Sequence, residues 1–157
     1  MLPEDVKAHP TAGALQAACG DALVSGKFDR GELTIVVDPE KIVGVCRFLK
    51  DQLRFVRLST ITGMDWYPAE PRFEVVYHLL SVDRNKRLRL KCKLPGKAPE
   101  IDSVTPVWPG ANWYERETFD LFGVRFRNHP DLRRIMLPED WEGHPLRKDA
   151  SVTGSRV

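Results

Sequence analysis

Residues 113–149 read WYERETFDLFGVRFRNHPDLRRIMLPEDWEGHPLRKD, and the fold turns on how this stretch is divided. Across residues 111–122, Ala111, Tyr114, Thr118, Leu121 and Phe122 fall at helical spacing, with Trp113 and Phe119 beside them. Gly123 then stops the pattern. That part predicts one helix, its stripe packed on a sheet and Glu115, Arg116, Glu117 and Asp120 left outside the stripe. Beyond it, tryptophan, methionine, leucine, arginine and proline follow with the period of neither helix nor strand. Such a segment is too apolar for a solvated linker and too irregular to stand alone. It must lie on a surface, of this chain or of another.

Upstream, residues 86–94 alternate, with Leu88, Leu90, Cys92 and Leu94 inward and Arg87, Arg89, Lys91 and Lys93 outward, as in a half-buried antiparallel strand. Asp83-Arg84-Asn85 joins it to residues 73–82 as a hairpin, with Phe73, Val75, Tyr77 and Leu79 on one face. Residues 55–61 predict another strand, and residues 62–71, with Gly63, Pro68 and Pro71, a loop. Asp38 is an N-cap before Pro39, and Ile42, Val45, Cys46 and Leu49 recur at i, i+3, i+4, i+7, so a helix follows. Lys41, Arg47 and Lys50 form its solvated face. Residues 22–28 and 32–37 read as strands around Asp29-Arg30-Gly31, and residues 11–18 as a short helix stopped by Gly20. Residues 103–108 predict a single helical turn, entered by Ser103 and limited by Pro106 and Pro109. The order α-β-β-α-β-β-β-α describes a single α+β domain over residues 1–128, a mostly antiparallel sheet covered by helices. Residues 129–157 form an extended irregular C-terminal tail.

The totals exclude several classes. A length of 157 residues allows one cored domain. A net charge of +2 is nearly balanced and argues neither for nor against an anionic partner. The basic face of residues 86–93 serves solubility and edge protection, or else meets an acidic protein surface. It has no aromatic platform, so nucleic acid is not expected. Cys19, Cys46 and Cys92 are too scattered for a disulfide framework or a cluster site. No run approaches the ~18 apolar residues of a membrane span, and residues 1–10 lack the apolar core of a signal peptide. Membrane association is expected only through a partner.

Catalytic patterns are equally poor. Glu115 and Glu117 point apart on a helix, and only Glu117 and Asp120 approach one another. Arg116, Arg125, Arg127, Arg133 and Arg134 are at hand to keep both acids ionised, which suits an ion network better than proton transfer. His129 and His144 stand beside prolines without metal-ligand spacing and predict turn hydrogen bonds. No Gly-rich phosphate loop or G-x-S-x-G elbow is present. No catalytic, cofactor or metal residue is expected in this chain. In the tail, Leu132, Ile135, Met136, Leu137, Trp141 and Leu146 among arginines have the anatomy of an interface anchor.

Three runs then acquire a family context: Glu115 to Gly123 (ERETFDLFG), His129 to Arg134 (HPDLRR) and Leu137 to Asp149 (LPEDWEGHPLRKD). Together they resemble the signature of the 30-kDa, C-type, subunit of respiratory complex I, the NADH:quinone oxidoreductase. Residues 73–90 and Ser103-Val104-Thr105 are similar to it as well. The resemblance implies a non-catalytic subunit of the peripheral arm, on the cytoplasmic side of the bacterial inner membrane. FMN, the iron–sulfur clusters and quinone would belong to other subunits, and this chain would hold none of them. It implies packing against the large D-type subunit, which with the B-type subunit forms the quinone cavity. The interface and ion network would comprise Glu115, Arg116, Glu117, Asp120, Arg133, Arg134, Trp141, His144, Pro145, Leu146, Arg147, Lys148 and Asp149. The related alternative is the equivalent subunit of a ferredoxin- or F420-linked dehydrogenase or a membrane-bound hydrogenase. The family continues after Arg147-Lys148-Asp149 with Tyr-Pro, where this chain has Ala150-Ser151.

Overall fold

Two of the predicted strands, at residues 32–37 and 86–94, meet at the centre of one sheet although a helix and two strands separate them in the chain. The structure, a computed structural model, describes residues 2–151. The elements are α1 (Glu4–Lys7), α2 (Pro10–Cys19), β1 (Leu23–Asp29), β2 (Glu32–Val37), α3 (Ile42–Asp51), β3 (Arg57–Asp65), β4 (Phe73–Ser81), β5 (Lys86–Leu94), β6 (Glu100–Asp102), α4 (Ala111–Phe122) and β7 (Arg125–Arg127). The main sheet has the order β1-β2-β5-β4-β3. β1/β2, β5/β4 and β4/β3 are antiparallel, and β2/β5 is parallel with Ile35 opposite Leu90. The sheet is therefore mixed but mostly antiparallel, and the molecule is α+β as predicted.

Alternation puts the core on one face of this sheet. Leu33, Ile35 and Val37 of β2, Phe73, Val75, Tyr77 and Leu79 of β4, and Leu88, Leu90, Cys92 and Leu94 of β5 are all buried. Ile42, Val45, Cys46 and Leu49 of α3 close over them. Each large side chain removed from water in this way stabilises the fold by about 1.5–3 kcal/mol. A 3₁₀ turn, Pro39–Lys41, leads into α3, and the Asp38 carboxylate accepts from the Glu40 N–H at 3.0 Å. Arg30 and Gly31, both at positive φ, give β1 and β2 the two-residue turn that matches strand twist.

Several local expectations are corrected. Gly20 is right-handed and opens a 3₁₀ turn, Gly20–Ala22, so it is not a left-handed helix stop. β3 begins at Arg57 and runs to Asp65, four residues into the predicted loop. The pairing with β4, from Arg57–Leu80 to Asp65–Phe73, holds that extra length straight. Residues 103–108 do make the single turn expected of them, with the Val107 and Trp108 N–H groups both on the Val104 carbonyl, but Pro106 lies inside that turn and does not limit it. Lys41 pairs with Asp21 at 2.7 Å, and Lys50 donates to the Val107 carbonyl at 2.6 Å, so neither is simply solvated. β6 and β7, unforeseen, form a small parallel pair flanking α4 in sequence. No helix among the described residues is long and apolar enough to cross a membrane.

Candidate functional site

α4 sits across β3. It packs tightly at Gly63, where an added Cβ would stand 2.7 Å from Phe122 Cδ2. The helix ends at Gly123, whose φ of 75° continues the chain in the left-handed region, and the Gly123 N–H bonds the Phe119 carbonyl at 2.8 Å. A side chain at Gly123 would also meet Arg147 and His144. The buried residues of α4 are Ala111, Glu115, Thr118 and Asp120. The expectation that all four charged residues remain outside the packed stripe is thus wrong for two of them.

Glu115 is fully buried. Its Oε2 accepts from the Ser103 hydroxyl at 2.6 Å and its Oε1 from the Val104 N–H at 2.7 Å. Ser103 Oγ in turn lies 2.8 Å from the Thr105 hydroxyl, which donates to it because the Ser103 proton is already engaged. Burial raises the Glu115 pKa to about 7 against these two donors. His129 Nε2 stands 3.8 Å from the carboxylate. The Asp131 N–H donates to His129 Nδ1 at 3.0 Å, so the proton is on Nε2, which gives it to the Asn112 carbonyl at 3.2 Å. Burial lowers the His129 pKa, leaving a neutral ring and no cation on Glu115.

Asp120 has the opposite surroundings. Its Oδ1 meets Arg134 Nη1 at 2.6 Å, and its Oδ2 accepts from the N–H groups of Ile135, Met136 and Leu137 at 3.1, 2.7 and 3.0 Å. Burial pushes its pKa up, but Arg134 and the three N–H groups outweigh burial and hold it below the usual carboxylate value. The Asp120 carbonyl accepts from His144 Nδ1 at 2.9 Å, and Arg134 reaches on to the Gly143 carbonyl at 2.8 Å.

Further along, the Leu146 N–H donates to the Leu121 carbonyl at 3.1 Å and Arg147 Nε to the Phe122 carbonyl at 2.6 Å. Arg147 also lies over the Phe73 ring. The Lys148 N–H meets Asp65 Oδ2 at 2.8 Å. Asp65 is held by Arg72 through two bonds of 2.8 Å, and Arg72 turns its other edge to Asp149 at 2.6 and 3.0 Å. The Arg72 guanidinium and the Lys148 and Tyr67 N–H groups hold Asp65 well below the carboxylate range despite burial. The segment from residue 129 is thus fastened to its own domain at Asp120, at the end of α4 and at Asp65.

The remaining predicted residues are dispersed. Arg116 lies over the Trp113 ring and donates to the Arg133 carbonyl at 3.1 Å. Arg133 pairs with Asp131, not with an acid of α4. Glu117 is half-buried and makes no ion pair among the described residues, while the Asp120 carboxylate is taken up by Arg134 and three N–H groups. Trp141 is half-buried, and Pro145 and Leu146 are exposed. His129 makes the turn hydrogen bond expected of it, with the Asp131 N–H, whereas the bond of His144 reaches 24 residues back to α4. Sequence reasoning does not find Asp65 and Arg72, nor Ser103 as a partner of Glu115; no local spacing links Asp65 to Lys148 or Arg72 to Asp149. Residues 152–157 of the predicted tail lie outside the described residues.

This α+β body with its fastened C-terminal segment has counterparts among respiratory assemblies. A trypsin-resistant fragment (1-134) of Nqo5 superposes with a TM-score of 0.68 at 30% identity, over 78% of this chain and 98% of the fragment. A chain of the membrane-bound sulfane sulfur reductase, an archaeal respiratory membrane complex, superposes at 0.79 and 29% identity, over 93% of this chain and 86% of that one. The fold therefore defines a subunit of a multi-subunit respiratory complex. The C-type subunit of the NADH-quinone oxidoreductase of Roseiflexus castenholzii is 51% identical over 152 residues, 95% of this chain and 87% of the relative. The profile of the family described as respiratory-chain NADH dehydrogenase, 30 Kd subunit, matches residues 35–156. The chain belongs to that family.

Proposed function

We propose that the chain is a non-catalytic structural subunit of the peripheral arm of proton-translocating NADH:quinone oxidoreductase. It supports electron transfer from NADH, through FMN and iron–sulfur clusters held by other subunits, to quinone, and itself holds none of these groups. Its main partner is the large D-type subunit, with the B-type subunit beside it, on the cytoplasmic face of the membrane. Residues 1–128 form the body and residues 129–157 the docking segment.

One observation carries this reading. Arg134, His144, Arg147 and Asp149 all turn back onto the body, to Asp120, Phe122 and Arg72, and fix the course of the segment. Fixed in this way, it leaves Met136 and Leu146 61% and 51% exposed, and Trp113 on α4 62% exposed. Large apolar side chains held outward on a rigid support suit a permanent contact.

The test is the double variant Met136→Asp/Leu146→Asp. Recovery of the D-type subunit with the tagged chain is expected to fall at least about tenfold, since each lost anchor removes ~1–2 kcal/mol of contact. The thermal midpoint of the free chain is expected to stay unchanged, because both side chains are exposed. Co-purification at the wild-type level would show that the outer side of the segment is not the contact.

The likeness to the sulfane sulfur reductase chain favours a second reading, the equivalent subunit of a related complex with another electron donor. Neighbouring genes for NADH- and flavin-binding subunits decide for the first reading; their absence decides for the second.

A further inference from the structure

The sheet face opposite α3 carries a groove of about 510 Å³ near the starts of β3 and β5. Its walls include Arg57, Ser59, Thr60, His78, Arg87 and Arg89. Strand register fixes their order. Arg57 of β3 is opposite Leu80 of β4, which is opposite Arg87 of β5, so two arginines flank one leucine on the same face. In the next row Thr60, His78 and Arg89 follow one another across the same strands. Arg89 is already engaged, with Glu32 at 2.7 Å and the Thr34 hydroxyl at 3.3 Å. Arg57 and Arg87 are exposed and have no acid among the described residues. The groove thus holds three guanidinium groups against one carboxylate. Burial and then the charge of Arg89 lower the His78 pKa, in keeping with a positive potential there.

We propose that this groove receives an acidic, extended segment of another polypeptide of the complex, at a contact separate from the C-terminal segment. Paired guanidinium groups at either side of Leu80 fit two carboxylates separated by an apolar side chain, because Arg meets carboxylate through a planar fork of donors. The volume is enough for several side chains and lies in the range of binding clefts. Nucleic acid is disfavoured because no Phe, Tyr or Trp lines the groove for base stacking. A lipid surface is disfavoured because the arginines line a recess and Leu80 between them is only partly exposed.

The test uses the purified membrane complex with Arg57→Lys or Arg87→Lys. Each variant keeps the charge and supplies a primary amine, which a carbodiimide joins to an adjacent carboxylate as an amide with loss of water. The expected product is a peptide containing position 57 or 87 joined to an Asp or Glu of another subunit, identified by mass spectrometry. The yield is expected to fall at least about tenfold when the complex is treated in high salt, which screens exposed charge pairs. An amide only to Glu32 of the same chain, or none at position 57 or 87, overturns the proposal. Retention of the full chain on phosphatidylglycerol vesicles that is lost in Arg57→Glu/Arg87→Glu, without an inter-subunit amide, assigns the groove to lipid and also overturns it. Neither result depends on Met136 or Leu146, so the two contacts fail or stand separately.

Discussion

Glu115 and Asp120 are five residues apart on one helix, both buried, and the protein treats them oppositely. Glu115 has two neutral donors and no cation, and burial lifts its pKa to about 7 from 4.5. Between those values the native state keeps a proton that the unfolded chain releases. Stability therefore falls as pH rises through that window, by at most on the order of 3 kcal/mol. Glu115→Gln mimics the protonated form and is expected to remove that fall. In urea unfolding it is expected to match the wild type at pH 5 and exceed it at pH 8. A wild-type-minus-variant difference that is constant with pH would sink the idea. Asp120 has the reverse sign: its lowered pKa adds stability above the usual carboxylate value, which is lost as pH falls through the native pKa. Asp120→Ala strands Arg134 and three N–H groups, and a loss of about 3–5 kcal/mol is expected in the same assay. A loss below ~1 kcal/mol would mean that water replaces the carboxylate without difficulty. Helical spacing put both acids outside the packed stripe, in an ion network. The donors that bury them lie 11–17 residues away, in turns with no period of their own.

At the scale of elements, the contact between β3 and α4 includes a close approach of Phe122 to Gly63. Gly63→Ala forces Phe122 to move and is expected to lower stability by about 1–3 kcal/mol. Adding Phe122→Leu is expected to restore part of that loss, and additive losses in the double variant would show that the two sites do not touch. Alternation and caps made α3, β2 and β5 legible, because each has one buried face, whereas β1 and β4 were legible from their residue types and the turns that bound them. β3 was legible only at its start. Its second half carries Gly63 and Asp65, poor strand formers that are held in place by β4 and covered by α4 and Lys148. The parallel β2/β5 pairing left no trace in either strand, since pairing partners are chosen by the assembled sheet.

For the whole molecule, the last fastening of the C-terminal segment depends on one bridging side chain. Arg72 joins its near neighbour Asp65 to Asp149, which lies 77 positions further along the sequence from Arg72. Arg72→Ala is expected to leave the sheet folded, with unchanged far-ultraviolet circular dichroism. Trypsin is expected to cut after Arg147 and Lys148 several-fold faster, as local opening becomes easier. Equal cleavage rates in the two proteins would show that Asp65 and Arg147 suffice. The sequence marked most residues of this segment by type and by family likeness. It did not show that their charged groups turn inward while Met136 and Leu146 stay outside, because that depends on distant partners such as Asp65.

The parallel pair at the centre of the sheet also has a bearing on synthesis. A ribosome adds roughly 5–20 residues per second, so β2 emerges seconds before β5, the strand it must lie beside. Until then Leu33, Ile35 and Val37 lack Leu88, Leu90 and Cys92 of β5, which share their core. The nascent chain thus carries β2 with one edge open, β1 holding the other, through the middle of its translation, and that open edge is what a chaperone has most to shield.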